Sequence, residues 1–339
     1  MSAVASARTP VGGPFFEQLE VGQTIATAPA MTLTEGHAAV HQAILGDRLR
    51  LPLDATLSAA VSGEERPLAH PGLVCDVAIG QSTLVTQRVI ANLFYRGLVL
   101  RRQPRIGDTL RTTVEVGALR QNSSRPGRAG SGMAALRVRT VDQEERLVLD
   151  FWRCAMLQLA DPEAETGRAD DLDLISAEID LDAVRSSLAG WRLDAYRELV
   201  PGPHFGDLEP GERWSISAGD VVSAAPELAR LTLNLAMAHH DADASGRGRR
   251  LVYGGQTIGL AAAQVSRALP GLVTYAAWHA CDHLGPVFEY DTLYSEVELE
   301  RTEALPEGGG LAHLTVTTSA RREGQDTEVL RWRPVAVMA

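Results

Sequence analysis

The chain of 339 residues contains no lysine, so its 32 basic side chains are all arginine. That absence excludes a Schiff-base lysine, a lysine general base and a phosphate-cradling P-loop lysine together. Basic charge is also in deficit, 32 residues against 43 acidic ones for a net charge of -11, whereas nucleic-acid binding rests on a dense cationic surface. Nucleic acid is therefore not expected as a partner, and any phosphate contact must be local. The three cysteines, Cys75, Cys154 and Cys281, are odd in number and widely spaced, which argues against a disulfide framework or a CxxC zinc site. Such usage points to a reducing compartment. The N-terminus has no apolar core of signal-peptide length, and no apolar run reaches the roughly 18 residues of a membrane span. A soluble, cytoplasmic protein with no membrane partner is expected.

What is present is core-forming material: 45% hydrophobic and 22% charged residues, the profile of an ordinary globular protein. The length suits about two domains, with disorder expected only in the first dozen residues and in the middle. The sequence also repeats itself. "FFEQLEVGQTI" starting at residue 15 is echoed by "HFGDLEPGERWSI" at 204, and "IGDTLRTTVEV" at 106 by "EYDTLYSEVEL" at 289. Between them "IGQSTLVTQ" at 79 is set against "GGQTIGLAA" at 254, giving separations of 189, 183 and 175 residues in conserved order. One long repeat of this kind means a duplicated domain and not a solenoid.

Each copy reads as a turn, apolar helices and then long strands. Helices are expected over 35–45 and 72–84, then over 225–238 and 256–268. Period-2 alternation predicts strands over 109–116, 133–141 and 146–157, and again over 273–278, 292–300 and 311–320. Helices followed by antiparallel strands make an α+β pattern. The acidic, Pro/Gly-punctuated stretch around 159–182 reads as a linker with room for a short helix. The expected domains are 1–160 and 201–339, joined by a linker over 161–200.

The segments "FFEQLEVGQTI", "VIANLFYRG" and "IGDTL" in the first half, with "LNLAMAHHDADASGRGRRLVYGGQTIGLA" and "DHLGPVFEYDTL" in the second, resemble the MaoC-like dehydratase family, and within it the two-domain mesaconyl-CoA hydratases. The resemblance covers nearly the whole chain, and "GRRLVYGG" is its most specific piece. It implies a double hot-dog fold, each half a sheet wrapped around a long helix, with a site for a coenzyme A thioester between the halves. It further implies a lyase that hydrates an enoyl-CoA reversibly, without metal or organic cofactor.

Matched to the family motif, His239 falls on the catalytic histidine, Asn234 on the aspartate, Ala236 on the asparagine and Gly255 on the glycine whose amide faces the thioester oxygen. Asn234 also agrees with the two-domain branch, whereas Gln256 stands where that branch has histidine. Expected substrate contacts are Asp241, Arg250, Tyr253, Gln256 and His283, with Arg250 preferred over Arg247 and Arg249 as a holder of diphosphate or carboxylate. The matching first-half segment offers only Asp47 and Asp54, so that half is expected to bind with a decayed site. A short branched dicarboxylic acyl-CoA such as mesaconyl-CoA or β-methylmalyl-CoA is the expected substrate.

The chemistry suits those residue types. Histidine titrates near working pH and can activate water, and glycines opening a helix present free amides to a developing oxyanion. A helix ending at His239 would carry its ring into the groove, although the helix dipole alone also explains a histidine there. Two rivals remain: a metal-dependent hydrolase using "HHDAD" and "HACDH", and a non-catalytic acyl-thioester binder, for which Asn234 in place of aspartate speaks. Thioesterase chemistry is also open to this fold, and homo-oligomers are common in it.

Overall fold

The computed structural model describes residues 11–26, 28–124, 127 and 129–339. The expected disorder of the first dozen residues therefore falls mostly outside the described residues. In the first half, short strands β1 (Thr24–Ala26) and β2 (Met31–Thr32) lead into α1 (Glu35–Leu45), α2 (Arg50–Leu53), α3 (Ala55–Ser62) and the central helix α4 (Pro71–Gln81). Four long strands follow: β3 (Val89–Leu100), β4 (Thr109–Gln121), β5 (Ser131–Val141) and β6 (Leu147–Gln158). After α5 (Leu181–Ser187) and α6 (Leu193–Leu199), the second half repeats the scheme. It runs β7 (Arg213–Ser215), β8 (Asp220–Val221), α7 (Ala225–Leu231), α8 (Gly254–Ala268), β9 (Leu272–His283), β10 (Thr292–Ala304), β11 (Gly310–Arg322) and β12 (Gln325–Met338).

The strands form one antiparallel sheet in the order β1-β4-β5-β6-β3-β9-β12-β11-β10-β7. Its centre is the pairing of β3 with β9, in register from Phe94 opposite Asp282 to Val99 opposite Ala277. The two halves thus share a continuous sheet around α4 and α8, a double hot-dog fold of α+β class. Helix α4 is buried from Leu73 to Gln81, as a helix that is apolar on nearly every side must be. None of the described helices is long and apolar enough to cross a membrane.

Repeated polar contacts give the true offset between the halves. Gln81 Nε2 donates to Leu110 O at 3.1 Å, and Gln264 Nε2 donates to Leu293 O at 2.9 Å. The turns before the matching strands agree, for Asp108 accepts the Arg105 N–H and Asp291 the Phe288 N–H, both at 2.8 Å. Helix α8 therefore follows α4 by 183 residues, the same spacing as those strands, and not the 175 read from "IGQST" against "GGQTI". Glycine-rich helix starts align readily by composition, whereas a buried glutamine bonded to a strand carbonyl marks the structural equivalence.

Local signals explain most boundaries. Helix α1 has the expected ends because Thr34 Oγ1 accepts the His37 N–H at 3.2 Å and Gly46 closes it with φ 65°. The helix expected over 225–238 stops at Leu231, where Leu233 takes φ 59° and Asn234 N–H turns back to Ala229 O at 2.9 Å. A left-handed leucine costs about 1–2 kcal/mol, which the surrounding packing offsets. His239 consequently lies in a separate turn, Met237–His239, and not at a helix end.

The middle of the chain is not a loose linker. Val184 and Leu188 with Trp191, Leu193 and Tyr196 pack on the outer sheet face against Val99, Val273, Ala277 and Val335. Tyr196 also donates its hydroxyl to Leu272 O at 2.8 Å.

Candidate active site

The chain between α7 and α8 holds the candidate residues Asn234 and His239, and first-half residues seat it. Thr83 Oγ1 accepts the Leu235 N–H at 2.8 Å, and Gln87 O accepts the Met237 N–H at 2.8 Å. Gly80 permits this approach, because a Cβ there would stand 1.7 Å from Thr232 O. Asn234 Oδ1 then accepts the Ala236 N–H at 3.0 Å, and the Asn234 carbonyl accepts from His240 Nε2 at 2.6 Å. His240 is thus a structural donor.

A cavity of about 230 Å³ lies where the loop meets the first half. Asn234, His239, Tyr253, Gly254, Thr257 and His283 line it from the second half, and Ile79, Thr83, Asn92, Tyr95 and Arg153 from the first. His239 donates Nδ1–H to Leu251 O at 2.8 Å. That bond fixes the tautomer and leaves Nε2 with its lone pair. Burial pushes the imidazole down to about 4; the His240 and Arg153 charges add to this and the Leu251 bond opposes it. The ring therefore starts neutral, as a base must, and sits 5.7 Å from the Tyr253 ring.

Tyr253 is held by its hydroxyl, which donates to Asp76 Oδ1 at 3.0 Å, while the other Asp76 oxygen is 3.3 Å from His41 Nε2. Tyr253 precedes the first turn of α8, so this bond fixes the start of that helix. Gly254 opens α8 on the cavity wall, and a Cβ there would fall 2.6 Å from His283 Cε1. The His283 Nε2 is buried without a hydrogen-bond partner, and burial pushes its imidazole down to about 4 as well. Two neutral imidazoles and a helix N-terminus thus face one cavity.

Both imidazoles titrate below the ordinary histidine value of 6.5. Between pH 6.5 and 4 the unfolded chain therefore binds protons that the folded one refuses. Their neutral burial costs nothing above pH 6.5, and stability is lost as pH falls toward 4. Urea midpoints are expected to drop steadily from pH 7 to 4.5, and His283→Gln should flatten the slope; a pH-independent midpoint would contradict two neutral buried imidazoles.

No protein-family profile matches the chain. It is 30% identical to a β-methylmalyl-CoA dehydratase of Chloroflexus aurantiacus over 321 residues, which is 92% of this chain and 89% of that one. The chain belongs to the MaoC-like dehydratase family. This MaoC-like dehydratase, a hydro-lyase by membership, is also 28% identical to a mesaconyl-CoA hydratase of Cereibacter sphaeroides, across 94% of this chain and 92% of that one. Among solved structures it resembles a conserved hypothetical protein of Mycobacterium tuberculosis described as a double hot-dog fold, with TM-score 0.90 and 51% identity over 98% of this chain and 100% of that one. A MaoC domain dehydratase of Chloroflexus aurantiacus matches with TM-score 0.85 and 27% identity, over 98% and 99% of the two chains.

Several site assignments made from the sequence move within the dehydratase. Gly254, not Gly255, lines the cavity; Gly255 packs on Asp76, whose Oδ1 would lie 2.1 Å from a Cβ there. Gln256 is buried away from the cavity and donates to Ser223 O at 2.5 Å, so its exchange for histidine does not alter the cavity wall. Asp241 is exposed and accepts the Asp243 N–H in a turn. Arg250 pairs with Glu289 on the surface, while Arg247, set aside from sequence, reaches the cavity. His239, Asn234, Tyr253 and His283 do converge there.

The ligand set of the metal hydrolase does not assemble. A one-residue bulge between Trp278 and Ala280 on β9 leaves His279 on the outer face, beside His313 at 3.0 Å, and turns Trp278, Cys281 and His283 inward. Among the described residues no three His, Cys, Asp or Glu side chains converge as metal ligands.

The first half carries the counterpart of the site in altered form. With the offset of 183 residues, Pro71 stands where the second half has Gly254, and proline has no N–H to offer an oxyanion. Asp47 accepts from His70 Nε2 at 2.9 Å and from Leu49 N–H at 3.1 Å, while Asp54 caps α3 through the Leu57 N–H at 3.0 Å. The space beside His70 and Pro71 is only about 20 Å³. Sequence reasoning missed Arg153, Asn92 and Tyr95. Arg153 carried a signal, a charge two residues from Phe151 on the inward side of an apolar strand.

Proposed function

We propose that this dehydratase adds water reversibly across the double bond of a short enoyl-CoA, with His239 as the acid/base and no cofactor. The observation that carries the reading is the His239–Leu251 hydrogen bond, which leaves a neutral Nε2 in the same cavity as the start of α8. In the hydration direction Nε2 takes a proton from water as the oxygen bonds the β-carbon. The double-bond electrons move toward the thioester oxygen, and the Gly254 amide at the helix N-terminus stabilises the enolate. The imidazolium then returns its proton to the α-carbon. With Oδ1 committed to Ala236, the Asn234 amide NH₂ is the end available to hold water or substrate.

The cavity of about 230 Å³ is smaller than the roughly 300–1,000 Å³ pockets of drug-sized ligands, which favours a short acyl group. A larger open groove continues from it through Ile90 and Arg247 to Arg120, Gln121 and Asn122, a polar track suited to the coenzyme A arm. The names of the two curated relatives favour mesaconyl-CoA and β-methylmalyl-CoA. Three buried, unpaired cysteines accord with a reducing, cytoplasmic setting.

The test is a hydration assay across mesaconyl-CoA, itaconyl-CoA and crotonyl-CoA, read by loss of enoyl absorbance. Turnover of mesaconyl-CoA at least tenfold above the others in kcat/KM is expected. Tight binding of every thioester with turnover of none would favour the non-catalytic reading instead.

A further inference from the structure

The fold leaves a buried charge in the cavity wall without a counter-charge among the described residues. Arg153 on β6 is 3% exposed, and its anchors are neutral: Nε donates to Asn92 Oδ1 at 3.1 Å and Nη1 to Ser82 Oγ at 2.6 Å. Among the described residues no Asp or Glu lines the cavity. The acidic groups nearby are engaged elsewhere, Asp282 by Arg96 at 2.5 Å and Asp76 by Tyr253 and His41. Arg153 forms no ion pair among the described residues, and its Nη2 holds no hydrogen bond there. Removing a guanidinium from water costs several kcal/mol unless an anion compensates it. A compensating anion from the ligand would supply what the protein does not.

We propose that Arg153 binds the distal carboxylate of a dicarboxylic acyl group and so selects thioesters carrying a carboxylate on the β-carbon. The inference rests on the hydratase reading of the same site. Arg153, His239 and His283 line the same cavity of about 230 Å³. An anion bound to Arg153 therefore shares that volume with His239. In a four-carbon 1,4-dicarboxylic chain, the carbon that receives the hydroxyl is the carbon bearing the distal carboxylate, so one position satisfies both residues. A longer dicarboxylate would carry its charge past that point, and a monocarboxylic acyl group would leave the guanidinium unpaired.

The test compares mesaconyl-CoA with tiglyl-CoA, which has a methyl group in place of the distal carboxylate, in the wild type, Arg153→Met and Arg153→Lys. The wild type should prefer mesaconyl-CoA by about 100-fold or more in kcat/KM, since a site built to pair a polar group rejects the analogue lacking it. Arg153→Met should shrink that ratio at least tenfold, and Arg153→Lys, which keeps the charge without the planar fork, should lie between. Taking the ratio across variants removes the intrinsic difference in reactivity of the two thioesters. Equal losses on both substrates, or a wild type that prefers tiglyl-CoA, would overturn the inference and leave hydration standing. If Arg153→Met does not fold, the wild-type preference and the lysine variant decide in the same way. Turnover of no enoyl-CoA by the wild type would instead remove the hydratase reading itself, and the inference with it.

Discussion

His239→Gln is expected to lower kcat for the accepted enoyl-CoA by about 100- to 10,000-fold, the range for loss of a positioned acid/base. Glutamine can keep a donor toward Leu251 O, now bonded by Nδ1 at 2.8 Å, so the loop should stay seated. An amide cannot take up the proton of the attacking water. The urea midpoint at pH 7 should change little while turnover collapses, and retention of more than a tenth of wild-type kcat would remove His239 from the mechanism. The wild-type pH profile offers an independent check. Because the ring titrates at about 4 in the free protein, hydration needs it neutral and kcat/KM should hold down to about pH 5, falling only as pH drops through about 4. An ordinary histidine would lose activity from pH 6.5 downward.

Gly80→Ala is the second large effect, and its sign reverses the usual expectation. In a helix interior, alanine is normally favoured over glycine by roughly 0.5–1 kcal/mol. Here the new Cβ would stand 1.7 Å from the Thr232 carbonyl oxygen and 2.7 Å from its carbon. These are backbone atoms with no rotamer to change, so α4 and the loop before Asn234 must separate. Overpacking of this kind costs about 1–3 kcal/mol, occasionally more, and the upper end is expected. Because that loop positions Asn234 and His239, a displacement near 1 Å should also cost about 100-fold in kcat. Chemical denaturation and steady-state rates measure the two losses separately. Wild-type stability and rate in Gly80→Ala would mean that the first half does not seat the catalytic loop.

The dependence of a second-half loop on a first-half glycine gives a physical reason for both halves to share one chain. Thr83, Gln87 and Gly80 hold the loop from across the interface, while Asp76 holds Tyr253 at the start of α8. The first half has lost the N–H that Gly254 supplies, since Pro71 occupies the equivalent position, yet it furnishes Arg153 and the wall built by Asn92 and Tyr95. In the proposed mechanism the first half supports the site and selects the substrate while the second carries the chemistry.

The sequence by itself determined the duplication, the α+β class and most long elements, because those depend on short-range patterns. Alternation drew β4, β5, β10 and β11, and the Thr34 and Gly46 caps bounded α1. The resemblance to the dehydratase family also placed His239, Asn234, Tyr253 and His283 in a common site, and all four line one cavity. Tertiary structure decided which atoms face the cavity. The left-handed turn at Leu233 ended α7 early, the bulge at His279 set the facing of β9, and Asp76 claimed the space beside Gly255, leaving the wall to Gly254. Arg153 lies 86 residues before His239 in the chain, and no local pattern relates the two. Local propensity sets period and ends, but which side chains meet across such separations is decided only when the halves pack together.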